Sequence, residues 1–378
     1  MKKVKLTLFL IICLACILVN SRLIYSQKIE IKRENGVIVI YNPKNPVSLS
    51  GVPTRLILKE EFKIGEKEGR EEYMFSNIIF DVDPEGNIYV LDTQELNIKI
   101  FNKKGKFLRR VSKGGQGPGE FSSARFIQIT PQKEIMIHDL YARRLMFFSL
   151  NGKYLRQLRL TNFLVFLMPR IDSKGNIIGN AISRDEKGIK IKFIKFDSLK
   201  NTHVILDKIE IPFSKYNGIF TPIFYWEIKE KDKIIYGSPN KYELKILNSN
   251  GTLIKKIFKK YDPIKITEKD KKEIIKEIFG KDRVPPGEKI SFPKYFPVFW
   301  SLSIDEKGRI FVGTYEKVKS KKGYYYFDVF DQKGRYIAKI SLKIKPKQWF
   351  LWKNKRLYIV EETEEGFPLI KCYKAMWY

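Results

Sequence analysis

One short phrase returns six times along the chain: a polar turn, then a short apolar strand. Its clearest copy is Asp83-Pro-Glu-Gly-Asn-Ile-Tyr-Val-Leu-Asp92. Further copies are Lys133–Asp139, Asp172–Ile178, Lys231–Tyr236, Asp305–Val312 and Lys353–Val360. A second hairpin follows five of them, turning at Gly105, Gly152, near Asn201, at Gly251 and at Gly334. The sixth copy runs into Phe367–Tyr378 with no partner strand behind it. Each unit therefore reads as a four-stranded antiparallel meander, which cannot bury both of its faces alone. Stacking such units around a ring solves that problem, so the expected fold is an all-β, six-bladed β-propeller. A sandwich or barrel with regular turns is the competing architecture, but it does not require paired hairpins in fixed order six times over.

The missing partner of the last unit has a candidate at the other end of the chain. Arg55–Ile64 reads as a strand, and the connection Gly65–Asn77 after it mirrors Val111–Arg125 before the second unit. An N-terminal strand would then complete the sixth blade, closing the ring and removing two open sheet edges. Ahead of it, Ile29–Ile31 and Val37–Ile40 flank Asn35-Gly36, a favoured two-residue hairpin turn.

The first 26 residues are different in kind. A basic start, Met1–Lys5, precedes the uncharged apolar run Leu6–Val19. That run is short for a membrane span and suits a signal peptide, with cleavage expected after Ser26. The division is thus 1–26 signal peptide and 27–378 propeller, and the expected location is periplasmic or extracellular. Membrane attachment would follow only from lipidation at Cys16 or from an uncleaved leader. Cys13 and Cys16 lie in the leader, so Cys372 alone remains in the exported chain and has no intrachain disulfide partner.

The formal charge of +30 favours anionic partners, although Lys and Arg are spread over all six repeats as they would be in any lysine-rich surface. With 43% hydrophobic and 14% aromatic residues the chain has ample core material, which excludes disorder.

Residues 262–297 break the rhythm. Thr267-Glu-Lys-Asp270 resembles a helix-capping box. Ile274, Ile275, Ile278 and Phe279 fall on one helical face, and Gly280 ends the helix. The insertion is expected to cap one face of the ring. The glycine-rich stretch Lys113–Phe121 lacks the Gly-Lys-Ser/Thr ending of a phosphate loop and reads as a tight inter-blade connection.

Chemistry is sparse. His138 and His203 are the only histidines, too few for a three-histidine zinc site. No serine–histidine–aspartate arrangement can be argued, and no catalytic or metal-binding residue is assigned. Asp83, Asp172 and Asp305 sit in Asp-x-x-Gly turns, where a side chain bonding its own turn accounts for them. The expected starts of the inner strands instead gather aromatic and basic residues. Arg125, Arg170, Tyr225, Trp300 and Trp349 are the candidate ligand-binding set, since aromatic platforms with cations suit sugar rings or stacked bases.

Asp83–Phe101 and Asp139–Phe148 resemble the NHL repeat. The stretch Gly115-Gln-Gly-Pro-Gly-Glu-Phe121 and the run Phe296–Gly308 are similar to exported bacterial six-bladed β-propeller proteins. The third, fourth and sixth units depart from the NHL pattern, so ligand habits do not carry over. Six-bladed relatives include lactonase-type enzymes with a pore calcium and lyases with a histidine-held zinc. The reading that results is an exported, non-catalytic binding or scaffolding propeller for a glycan, a polyanion or a protein, with no cofactor. A calcium-dependent lactonase-type hydrolase or lyase in the pore is the alternative. NHL-like RNA binding is a second one, and the leader argues against it.

Overall fold

The computed structural model describes residues 28–65, 69–112, 114–160, 163, 165–213, 219–281, 283–288 and 290–378. The leader with its cleavage site, Cys13, Cys16 and Lys113 lie outside these residues. The chain opens with a hairpin of β1 (Glu30–Glu34) and β2 (Val37–Asn42), followed by β3 (Leu56–Ile64). Asn35 and Gly36 both take positive φ, 48° and 81°, as a primed two-residue turn demands.

Blade I is β4 (Ile78–Val82), β5 (Ile88–Asp92), β6 (Asn97–Phe101) and β7 (Phe107–Val111). Blade II is β8 (Ala124–Ile129), β9 (Glu134–Asp139), β10 (Arg144–Ser149) and β11 (Tyr154–Arg159). Blade III is β12 (Val165–Ile171), β13 (Ile177–Asp185), β14 (Gly188–Asp197) and β15 (Thr202–Pro212). Blade IV is β16 (Tyr225–Ile228), β17 (Ile234–Gly237), β18 (Glu243–Leu247) and β19 (Leu253–Lys259). Helix α1 (Glu268–Phe279) then intervenes. Blade V is β20 (Ser301–Ile304), β21 (Ile310–Lys317), β22 (Tyr325–Phe330) and β23 (Tyr336–Leu342). Blade VI is β24 (Phe350–Lys353), β25 (Arg356–Glu362), β26 (Pro368–Trp377) and, from the other end of the chain, β3.

Ring closure is as expected: β3 pairs antiparallel with β26 from Leu56↔Trp377 to Ile64↔Ile370. The repeated phrase owes its regularity to its turn. Asp83 accepts the Asn87 N–H at 2.7 Å and the Asn87 side-chain amide at 2.8 Å. Asp172 takes the Asn176 N–H at 2.8 Å, and Asp305 takes the Arg309 N–H at 3.0 Å. These aspartates hold their own turns, as local Asx bonding predicts.

One feature departs from the plain four-stranded blade. Strand β2 lies parallel along β19, from Ile38↔Lys255 to Asn42↔Lys259, so blade IV carries six strands. Val39 and Ile40 are buried there. The Asn42 side chain donates to the Phe258 and Gly334 carbonyls at 3.1 and 3.0 Å, and accepts from the Tyr336 N–H at 2.8 Å. It clips blade IV to blade V.

The core lies between blades. Phe311 stacks on Trp352 at 4.4 Å between blades V and VI. Between blades IV and V, buried Asp328 accepts from the Tyr242 and Tyr336 hydroxyls and pairs with Lys259 at 3.3 Å. Blades I and II pack so closely that a Cβ on Gly152 would lie 1.7 Å from a Val111 methyl.

An axial cavity under a helical lid

The inner strands, the grooves between neighbouring blades and the insertion together line one continuous cavity along the axis of about 3810 Å³, far above the roughly 300–1,000 Å³ of a small-molecule pocket. Tyr225, Ser301 and Trp349 line it where the inner strands begin, and Pro84, Lys231 and Gly308 where they end. Strand alternation decides which side chains face the axis. Two residues before each inner turn stand Asp81, Gln128, Arg170, Glu227, Ser303 and Leu351, one per blade. Nearer the entrance stand Ile79, Tyr225, Ser301 and Trp349.

Arg170, Tyr225 and Trp349 of the five candidate residues therefore stand at axis-facing positions. Arg170 pairs with Glu227 at 3.0 Å, and its guanidinium lies 5.8 Å from the Phe126 ring and 6.0 Å from Trp226. Trp349 donates its indole N–H to the Phe80 carbonyl at 2.9 Å and meets Phe126 edge-on at 5.8 Å. Tyr225 packs against Phe299 at 5.9 Å, and burial pushes its hydroxyl up to about 12.

The other two are placed differently. Trp300 lines the cavity but is only 5% exposed, because its ring is wedged against Phe327 and Phe350 and its indole N–H binds the Thr314 carbonyl. It is chiefly an inter-blade core residue. Arg125 is exposed at a β-bulge between Ala124 and Phe126 and does not line the cavity. Near Trp300 a one-residue difference in register exchanges the core face for the axis, and the bulge beside Arg125 does the same in blade II.

Asp81, Gln128, Glu227 and Ser303 were not among the candidates. Asp81 accepts the N–H groups of Val82 and, across the blade boundary, Ile129 at 2.7 Å. Gln128 grips Ile171 in blade III through both its N–H and its carbonyl, at 2.8 and 3.3 Å. Burial raises the Glu227 carboxyl above its ordinary value, Arg170 and Lys353 oppose this, and Asp81 adds to it. The signal that could have found all four was the spacing of two residues before each inner turn. His138 lies apart, buried in blade II, where burial pushes its imidazole down to about 4. Among the described residues no three His, Cys, Asp or Glu side chains gather in a metal-binding group.

The insertion covers the entrance. Its base is closed by a bridge of Lys265 with Tyr295, flanked by Ile266 N–H to Lys294 O and Phe296 N–H to Ile264 O. Above it α1 begins at the expected capping box of Thr267 with Asp270 and ends at Gly280, φ 64°. Lys317 of blade V reaches Asp270 and Glu273 at 2.8 Å each, and Lys347 reaches Glu277 at 3.0 Å. Ile274 and Ile278 face the cavity. Beneath them Phe296 stacks on Tyr315 at 4.6 Å. Around the rim, exposed Lys319, Lys321, Lys322 and Lys345 have no acidic partner among the described residues.

Fold and site together define a six-bladed β-propeller with a lidded, aromatic and basic axial cavity. A family model, DUF5128, described as a 6-bladed beta-propeller, matches residues 68–284, and the chain belongs to that family. A search of curated proteins gives no match. Among solved structures, the chain is similar to a protein of Bacteroides fragilis NCTC 9343 inferred to be exported. The two share 14% identity with a TM-score of 0.55, over 89% of this chain and 99% of that one. It is also similar to a DUF4221 family member from Bacteroides vulgatus ATCC 8482, at 12% identity and TM-score 0.53, over 86% of this chain and all of that one. At these identities the likeness speaks for the fold alone.

Proposed function

We propose that this is an exported binding propeller whose axial cavity receives an acidic glycan. The observation that carries the reading is the meeting, in one cavity too large for a single small molecule, of stacked aromatic rings with rim lysines that have no acidic partner among the described residues. Aromatic faces hold sugar rings, and ammonium groups hold carboxylates or sulfates. The apolar, uncharged run Leu6–Val19 behind a basic start supports export.

The test is equilibrium binding of polygalacturonate and heparin to the purified protein across a salt series. Affinity should fall as salt rises, and the double substitution Lys321→Glu, Lys322→Glu should weaken it. Affinity indifferent to both salt and these substitutions would defeat the reading.

A further inference from the structure

The ring of equivalent inner-strand positions is closed on one side and open on the other. The N–H groups of Thr130 and Asp172 bond across their turns to Glu134 and Asn176. In an antiparallel pair the residue before each must therefore point its own N–H the other way, toward the axis. Those residues are Ile129 and Ile171, and Asp81 and Gln128 take up their N–H groups. Blades I, II and III are tied together in this way.

The same alternation applies in blades IV and V. Lys229 bonds across its turn to Lys233 at 2.6 Å, and Asp305 to Arg309 at 3.1 Å. Ile228 and Ile304 therefore turn their N–H groups to the axis, but the side chains placed to receive them cannot or do not. Arg170 has no acceptor, and Glu227 is turned back onto Arg170. The Ser303 hydroxyl, on a residue 9% exposed, has no hydrogen-bond partner among the described residues. A buried hydroxyl without a partner is costly and uncommon.

We infer that this open half-ring, Arg170, Glu227 and Ser303 with the axial N–H groups of Ile228 and Ile304, is the seat of one uronate residue of the acidic glycan. The guanidinium is the group for a sugar carboxylate, since it offers paired donors to a planar anion. Glu227 accepts from ring hydroxyls, while Ser303 and the axial N–H groups complete the polar contacts of a hydroxylated ring. Trp349 and Tyr225, nearer the entrance, flank the next ring along the chain. The inference rests on the glycan reading and adds to it a position and an acid-sugar specificity.

The test is calorimetric titration of the purified protein with trigalacturonate and, as the neutral comparison, maltotriose. Trigalacturonate should bind, and maltotriose should bind at least about tenfold more weakly. Ser303→Ala should weaken trigalacturonate about fivefold while leaving the melting temperature unchanged or higher, because it deletes a hydroxyl with no partner among the described residues. Arg170→Gln should weaken it by about 100-fold. Binding by Ser303→Ala and Arg170→Gln within twofold of the parent would overturn the inference. If that result came with binding lost on Lys321→Glu, Lys322→Glu, the glycan reading would stand and the inner seat alone would fall. Absence of any binding to trigalacturonate, polygalacturonate or heparin would remove both.

Discussion

Lys317→Met should loosen the lid without touching the ring. No residue of α1 is buried, so the helix rests on half-buried Ile274, Ile275 and Phe279 and on its ion pairs. Lys317 makes two of these, at 2.8 Å to Asp270 and to Glu273. Burial works against its ammonium, but the two carboxylates outweigh it and hold the lysine above its ordinary range. The Lys317 side chain is 41% exposed and that of Glu273 52%, so solvent screens the attraction and each contact is worth only about 0.5 kcal/mol. Losing both costs about 1 kcal/mol, which multiplies the open population roughly fivefold. Amide hydrogen exchange over 268–279 should speed up by that factor, while the strands of blade V stay protected. Raising salt should accelerate exchange of the lid in the parent and have little effect in the variant. Unchanged protection of the helix, or a loss spread through blade V, would refute this account of what holds the lid.

Three further outcomes follow from buried groups. Asp328→Ala strands Lys259 and two tyrosine hydroxyls between blades IV and V, and should cost about 3–5 kcal/mol in denaturant unfolding. His138 titrates near 4 when folded and near 6.5 when unfolded, so between these values the unfolded chain binds the extra proton. Its contribution of about 3 kcal/mol is fully present above pH 6.5 and drains away as pH falls to 4. His138→Leu should flatten melting temperature against pH in that window. Cys372 is buried, with its thiol pushed up to about 12, so it should resist alkylation until the protein is unfolded.

The fold was legible because its signals are local. Each Asp-x-x-Gly turn and each glycine hairpin announces itself within a few residues, and the pairing of Arg55–Ile64 with the C-terminus followed from counting strands. The helix was legible through Thr267, Asp270 and Gly280 for the same reason. The parallel pairing of β2 with β19 was not, since two segments more than 200 residues apart carry no local mark of parallel register. The lining of the candidate cavity was half legible. Composition near the inner strands led to Arg170, Tyr225 and Trp349. Trp300 stands one residue before cavity-lining Ser301, and in an alternating pattern a slip of one residue changes the face. Glu227 was obscured because its partner is Arg170 in the neighbouring blade, 57 residues away.

The proposed seat places an acid sugar on the axis beside blades III, IV and V. A crystal structure of the purified protein soaked with trigalacturonate at saturating concentration tests it most directly. One sugar carboxylate should lie on Arg170, with a hydroxyl within hydrogen-bond distance of Ser303. Sugar bound on an outer blade face, with the axis holding only water, would contradict it.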